Sequence, residues 1–346
     1  MPLPLRHISA SLLVFLAMAG PARADTGIVA IGDFGVGGDR ERTTGAAVER
    51  FVATRPVDAL VTLGDNDYTE RPAAFRRNWR AGFGWAAADS LLVAGTLGNH
   101  DVRVDGGRYE FGPLGMPGRY YRRRVGDVSL FLLDSTNLGP AQLRWLDGAL
   151  ARTDAPWKVV AFHQPPFSCG GYLGEKRVRR ALVPLFERHD VDLVLSGHDH
   201  SYQRFARAGV TYVVHGGGGA RLYRLRSCPR WFPQRLAARK VRGWVYLRAT
   251  PDSLRCARSV AGAACRTTSS YTPSGYTYGV SETRVLRVPG MSCAHCVGAV
   301  EGELEAVAGV EKASADLATK LVTVHGSALE DASLRAAIAE AGYEAE

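Results

Sequence analysis

At 346 residues, 46% hydrophobic and 22% charged, the chain can bury a large core and divide into more than one unit, which excludes a disordered protein. The net charge of +9 is uneven: residues 204–258 carry 13 Lys or Arg against one acid, and residues 291–346 carry 10 acids against three bases. Two units of opposite charge are therefore expected, the basic one drawing anionic substrates. Its arginines form no recognition helix or aromatic platform, which argues against a nucleic-acid partner.

The chain opens on MPLPLRHISASLLVFLAMAGPARA. Arg6 is followed by an apolar run of about 13 residues and then by Ala22-Arg23-Ala24, a small-x-small pattern. This reads as a signal peptide over 1–24, cleaved near Ala24, and predicts a secreted or extracytoplasmic protein. The run is too short to cross a membrane and no later stretch approaches about 20 apolar residues, so no membrane span is expected.

From Thr26 to about Val213 apolar runs alternate with amphipathic ones. GIVAIGD, DALVTLGD, SLLVAGTLGNHD, DVSLFLLDS, WKVVAFHQ and VDLVLSGHDH read as strands, and PAQLRWLDGALAR and EKRVRRALVPLFERH have helical spacing. The alternation predicts an α/β unit over 25–260. GVTYVVHGGGG and GWVYLRATPDSLRCARSV continue as β-rich, with a hairpin turn at Thr250-Pro251-Asp252-Ser253. Residues 261–282, rich in small and hydroxyl side chains, read as a flexible linker. Over 283–346 a β-α-β-β-α order predicts a small ferredoxin-like α+β domain lacking its last strand.

Five of the strands break off in turns bearing Asp33, Asp65 with Tyr68, Asn99 with His100, His163, and His198 with His200. Each alone is weak, since Asp and Asn are common turn formers. Five in order, each after an apolar run, place a donor set where α/β sheets bind ligands, just beyond the carboxyl ends of strands. Carboxylate, amide oxygen and imidazole suit borderline-hard metals, and two such ions about 3.5–4 Å apart form a clamp for displacement at phosphorus. An Asp shared by two ions, with about three further ligands on each, needs seven residues; the strand ends supply seven and leave His100 over.

The blocks GDFG, GDNDY, GNHD, VAFH and GHDH resemble those of the purple acid phosphatases, a branch of the calcineurin-like metallophosphoesterases. The resemblance spans about Asp25 to Val260. It implies a β-sandwich flanked by helices, with Asp33, Asp65, Tyr68 and His200 on one ion and Asp65, Asn99, His163 and His198 on the other. It further implies Fe(III) beside the Tyr68 phenolate and Fe, Zn or Mn in the second position. The implied reaction is in-line attack by a metal-bound hydroxide on small phosphomonoesters. His100 would contact phosphate or protonate the leaving alkoxide, and Asp101 could orient it. Asp199 reads as a spacer between two ligands. Many members of the family carry a second non-ligand histidine after the VxxH block; QPPFSCGGYLGEKRVRR has none, which leaves the leaving-group proton to His100 or to a group the sequence does not identify. Cys169 and Cys228 are open to two readings, a disulfide or two separate buried thiols.

GMSCAHC, with Cys293 and Cys296 in a loop before a helix, offers two soft thiolates suited to Cu(I) or Zn. The stretch resembles the heavy-metal-associated domain of copper chaperones and P-type ATPases, which implies Cu(I) or another soft metal there. An exported copy is unusual, and the domain is either a working metal site or a passenger fusion. The leading expectation is an exported binuclear phosphomonoesterase. The alternatives are a phosphodiesterase of the same superfamily, against which Tyr68 argues, and a copper-binding protein with the phosphatase unit as carrier.

Overall fold

The computed structural model describes residues 25–259, 269–271, 282–305, 307, 310–326 and 329–346. The expected signal peptide and most of the expected linker lie outside the described residues.

The first unit contains the strands β1 (Thr26–Ile31), β2 (Ala59–Thr62), β3 (Leu92–Ala94), β4 (Tyr121–Val125), β5 (Val128–Leu132), β6 (Trp157–Ala161), β7 (Leu193–Ser196), β8 (Tyr202–Arg207), β9 (Val210–His215), β10 (Gln234–Arg239), β11 (Trp244–Ala249), β12 (Leu254–Ser259) and β13 (Ser269–Tyr271). They form a six-stranded sheet of order β13-β12-β11-β1-β2-β3 and a seven-stranded sheet of order β10-β8-β9-β7-β6-β5-β4. The strands β1-β2-β3 run parallel in one sheet and β5-β6-β7-β9 in the other, while the remaining neighbours pair antiparallel.

The period of two along the strands explains the layers. Val128, Leu130, Leu132, Val159, Ala161, Leu193 and Leu195 share a core with Ile28, Val29, Leu60 and Leu247 of the opposite sheet. The alternate residues Phe131, Val160, Val194 and Tyr212 face outward, into a second core with Leu146, Leu150, Leu182 and Phe186. The last four lie on two helices, over residues 140–151 and 176–188. Strands buried on both faces read as continuous apolar runs, which is why these runs were legible. Helices α1 (Gly38–Val52) and α2 (Pro72–Phe83) supply Val48, Phe51, Phe75, Trp79 and Phe83 to the first core. After the one-turn α3 (Trp85–Ala88) come α4 (Pro140–Ala151) and α5 (Lys176–Arg188).

The Thr250 to Ser253 turn closes the β11–β12 hairpin, with the Thr250 amide donating to the Ser253 carbonyl at 2.8 Å. Ser269–Tyr271, inside the stretch expected to be linker, instead pairs with β12 as an edge strand. Cys169 and Cys228 form a disulfide across 59 residues. In the chain-entropy account, closing a loop of that length contributes about 4 kcal/mol.

The C-terminal unit holds β14 (Glu282–Arg287), α6 (Ala294–Leu304), β15 (Val310–Asp316), β16 (Leu321–Gly326) and α7 (Asp331–Glu340). Its antiparallel sheet has the order β14-β16-β15, and its core, with Leu286, Val300, Leu304, Val322, Val324, Leu334 and Ile338, is its own. This is the expected ferredoxin-like order, with three strands among the described residues.

Candidate metal centre

The donors sit just past the ends of β1, β2, β3, β6 and β7, and the parallel course of these strands brings them to one edge of the sandwich. Asp33, Asp65 and His198 take left-handed φ values of 59°, 51° and 67°. Non-glycine residues rarely hold this conformation, and such backbone strain concentrates at functional sites. Close approach of the loops needs small residues: a Cβ on Gly98 would lie 2.2 Å from Asp65 Oδ1.

One half of the cluster gathers Asp33, Tyr68 and His200. The Tyr68 hydroxyl donates to Asp33 Oδ1 at 3.1 Å and lies 3.1 Å from His200 Nε2, which is itself 3.2 Å from Asp33 Oδ1. His200 Nδ1 donates to the Arg221 carbonyl at 2.8 Å, so the ring presents Nε2 to the cluster. The other half gathers Asn99, His163 and His198. His163 Nε2 lies 3.1 Å from Asn99 Oδ1 and 3.1 Å from His198 Nδ1. His163 Nδ1 donates to the Leu63 carbonyl at 2.9 Å, again fixing which nitrogen points inward. Asp65 stands between the halves, with its Oδ1 3.4 Å from His163 Nε2. All seven residues expected as ligands therefore meet, and Asp33, Asp65 and His163 present donor atoms within 4.8 Å of one another.

The electrostatics fit a cation. Burial, and then His163, lowers His198 to about 3, leaving its lone pair free at neutral pH. Burial also pulls His163 and His200 down, but neighbouring carboxylates outweigh it and hold both above the usual value. Asp33 is held low despite full burial, through its hydrogen bond to His200 and the nearby imidazoles. Burial first, then Asp33 and Asp65, pushes the Tyr68 phenol far above its ordinary value. A phenolate at this position therefore needs a strongly charged cation beside it.

His100 lies at the lip, its ring 4.4 Å from that of Tyr68 and its amide donating to Asp65 Oδ1 at 2.9 Å. The expectation that Asp101 orients His100 is corrected. Asp101 is fully buried and its oxygens accept the amides of Asn66, Asp67 and Gly98 at 2.8, 3.0 and 2.7 Å, tying the Asp65 loop to the Asn99 loop. Burial, and then Asp65, raises its carboxyl to about 7. The carboxylate facing the His100 ring is Glu70, with Oε1 at 3.8 Å from Nδ1 and held by Arg103 at 2.6 Å. Asp199 is more than a spacer: it is fully buried and accepts from the Tyr172 amide and the Ser201 hydroxyl at 3.1 and 2.7 Å. Sequence reasoning missed Glu70, Tyr172 and Tyr223. No block or period marks them, and only the packing of loops brings them to the site.

In the C-terminal unit Cys293 and Cys296 are free thiols with sulfurs 2.9 Å apart at the start of α6. Cys293 first, and then Tyr343 and Ser292, lowers Cys296 to about 5.

Comparison with known proteins agrees with both units. The calcineurin-like phosphoesterase family matches residues 26–202, and the heavy-metal-associated domain matches residues 285–344. A probable purple acid phosphatase 20 of Arabidopsis thaliana is 26% identical over 202 residues, 51% of this chain and 40% of that one. Tartrate-resistant acid phosphatase type 5 of Mus musculus is 27% identical over 233 residues, 55% of this chain and 71% of that protein. The chain thus spans about two-fifths of the plant relative's length. Purple acid phosphatase PPD1 from yellow lupin seeds superposes with a TM-score of 0.57 at 17% identity, over 72% of this chain and 53% of that structure, a likeness of fold. Among the described residues no helix is long and apolar enough to cross a membrane.

Proposed function

Starting from a chain that belongs to the calcineurin-like phosphoesterase family, we propose that it is an exported phosphatase hydrolysing phosphomonoesters at a binuclear metal centre. The observation that carries this is Asp65, standing between a Tyr68–Asp33–His200 half and an Asn99–His163–His198 half. The mixed donors fit the group: a phenol beside carboxylates suits Fe(III), and two imidazoles with an amide oxygen suit Fe, Zn or Mn. When bound, the two ions would supply positive charge to the transferring phosphoryl group and lower the pKa of water.

The chain's own residues set the rest. Asp33, Asp65 and His198 hold donors in a strained backbone, and the carbonyls of Leu63 and Arg221 fix the imidazoles that face inward. His100, outside the donor set and partly exposed, is placed to hold a phosphate oxygen or to give a proton from its ring to the departing alkoxide. Export accords with the Cys169–Cys228 disulfide, because such bonds persist in oxidising compartments. In the C-terminal unit, Cys293 and Cys296 would hold Cu(I) or another soft ion through two thiolates.

Metal analysis and an absorption spectrum of the purified protein, with turnover of p-nitrophenyl phosphate, test the reading. Two ions per phosphatase unit are expected, and Asp65→Ala should lose metal and activity together. Tyr68→Phe should bleach a visible Fe(III)-phenolate band; wild-type turnover in Asp65→Ala would sink the binuclear centre.

A further inference from the structure

Two tyrosines outside the donor set cover the imidazoles. The Tyr172 ring lies on that of His198, with centroids 4.3 Å apart and 22° between planes, and the Tyr223 ring lies on that of His200 at 4.1 Å and 14°. The two phenol rings meet edge to face at 5.8 Å.

The loop bearing Tyr172 is held from several sides. Its amide donates to the buried Asp199 at 3.1 Å, and its carbonyl accepts from the Gly170 amide at 3.2 Å. Gly171 permits the contact with Tyr223, since a Cβ there would lie 2.4 Å from that ring. The Cys169–Cys228 disulfide joins the two segments that carry the tyrosines. Despite these restraints the Tyr172 side is open: the residue is 47% exposed, and Leu173 beside it is 48% exposed. A rigid aromatic surface beside a reactive centre binds a planar group without first having to be ordered, which is where preorganised sites gain affinity.

We propose that Tyr172 is a specificity-determining residue, a platform on which the leaving group of an aryl phosphomonoester stacks while its phosphate sits at the donor cluster. The proposal rests on the phosphatase reading and narrows its substrate class. The phosphate is positioned by the strand-end donors whatever the alcohol, so selectivity among alcohols falls to what lies beside the cluster. Tyr172 and Leu173 supply an apolar, aromatic surface there.

The test uses the metal-loaded full chain, as wild type, Tyr172→Ala and Tyr172→Phe. kcat/KM is measured at one pH for phenyl phosphate and butyl phosphate, and calorimetry compares binding of phenylphosphonate and butylphosphonate. Comparing each variant with wild type on the same substrate cancels the higher intrinsic reactivity of the aryl ester. Tyr172→Ala should lower the phenyl-over-butyl ratio by about five- to tenfold, mostly through KM, with a matching loss in phosphonate preference; Tyr172→Phe should keep both. An unchanged ratio in Tyr172→Ala overturns the platform and leaves Tyr172 as a prop for His198, and an equal loss in Tyr172→Phe overturns it in favour of the hydroxyl. If wild type hydrolyses neither ester but prefers phenylphosphonate through Tyr172, the phosphatase reading falls and the platform stands. If it also shows no such preference, both fall.

Discussion

His163 Nε2 lies 3.1 Å from His198 Nδ1, while His200 presents its Nε2 to Asp33 and Tyr68 on the other side of Asp65. Two histidines separated in sequence by one residue thus serve different halves of the cluster. His198→Ala should therefore deplete the ion on the Asn99 side and leave any Fe(III)-phenolate band. His200→Ala should weaken that band first. Metal content and spectrum of the two variants decide the matter, and loss of the same ion from both would remove the division into halves.

His100→Ala should keep its metals and lower kcat by about 10² to 10⁴, the range for losing general acid–base help. The loss should shrink for esters with good leaving groups, which depart without a proton. Glu70→Gln should cost less, because Glu70 Oε1 is 3.8 Å from the His100 ring and no hydrogen bond closes between them. A His100→Ala protein that loses metal would place His100 among the ligands.

The donor cluster was legible because each ligand follows a short apolar strand, and a short motif with glycine marks most of the turns. The two-sheet layering followed from the same runs, as Val128, Leu130 and Leu132 against Phe131 illustrate. β4 was not legible: YRRRV is an antiparallel edge strand whose arginines hide its pairing with β5. Asp101 was misread because proximity to His100 in the chain suggested contact, whereas the carboxylate turns to the amides of Asn66, Asp67 and Gly98. Tyr172 lies in a loop without period, and its meeting with Asp199 spans 27 residues. Such long-range loop contacts leave no local signal.

Glu41, on α1, is buried, with Oε2 accepting the Gly37 amide at 2.9 Å and Oε1 without a hydrogen-bond partner. Burial is the main cause that raises its carboxyl to about 7, against 4.5 for the free side chain. The folded state therefore holds this proton more tightly than the unfolded one. Stability from this site is fully present below about pH 4.5 and is lost as pH rises towards 7. Glu41→Gln, neutral throughout, should remove that slope and gain on wild type between pH 5 and 8, by about 3 kcal/mol at most. Denaturant unfolding of both proteins across that range measures it, and parallel pH profiles would show that Glu41 ionises normally in the fold.

The thiols of Cys293 and Cys296, 2.9 Å apart at the start of α6, should take one Cu(I) independently of the phosphatase centre. Two thiolates at a helix start converge on a soft ion, while the strand-end carboxylates and imidazoles prefer harder ones. Cys296 is already drawn down to about 5 by Cys293, Tyr343 and Ser292, so a thiolate is available at neutral pH. The unit's core, built from residues such as Leu286, Val300, Val322 and Ile338, uses only its own side chains. In the full chain, Cys293→Ser with Cys296→Ser should abolish one equivalent of Cu(I) in a competition titration against a colorimetric chelator. Turnover of p-nitrophenyl phosphate should be the same in both proteins, with or without Cu(I). In protein taken directly from an oxidising compartment, Cu(I) uptake should appear only after reduction, because thiols this close can close into a disulfide. Phosphatase activity that falls with the double substitution, or rises when Cu(I) is added to wild type alone, would show that the C-terminal unit acts on the first. Retention of the full Cu(I) equivalent by the double variant would move the soft site elsewhere in the chain.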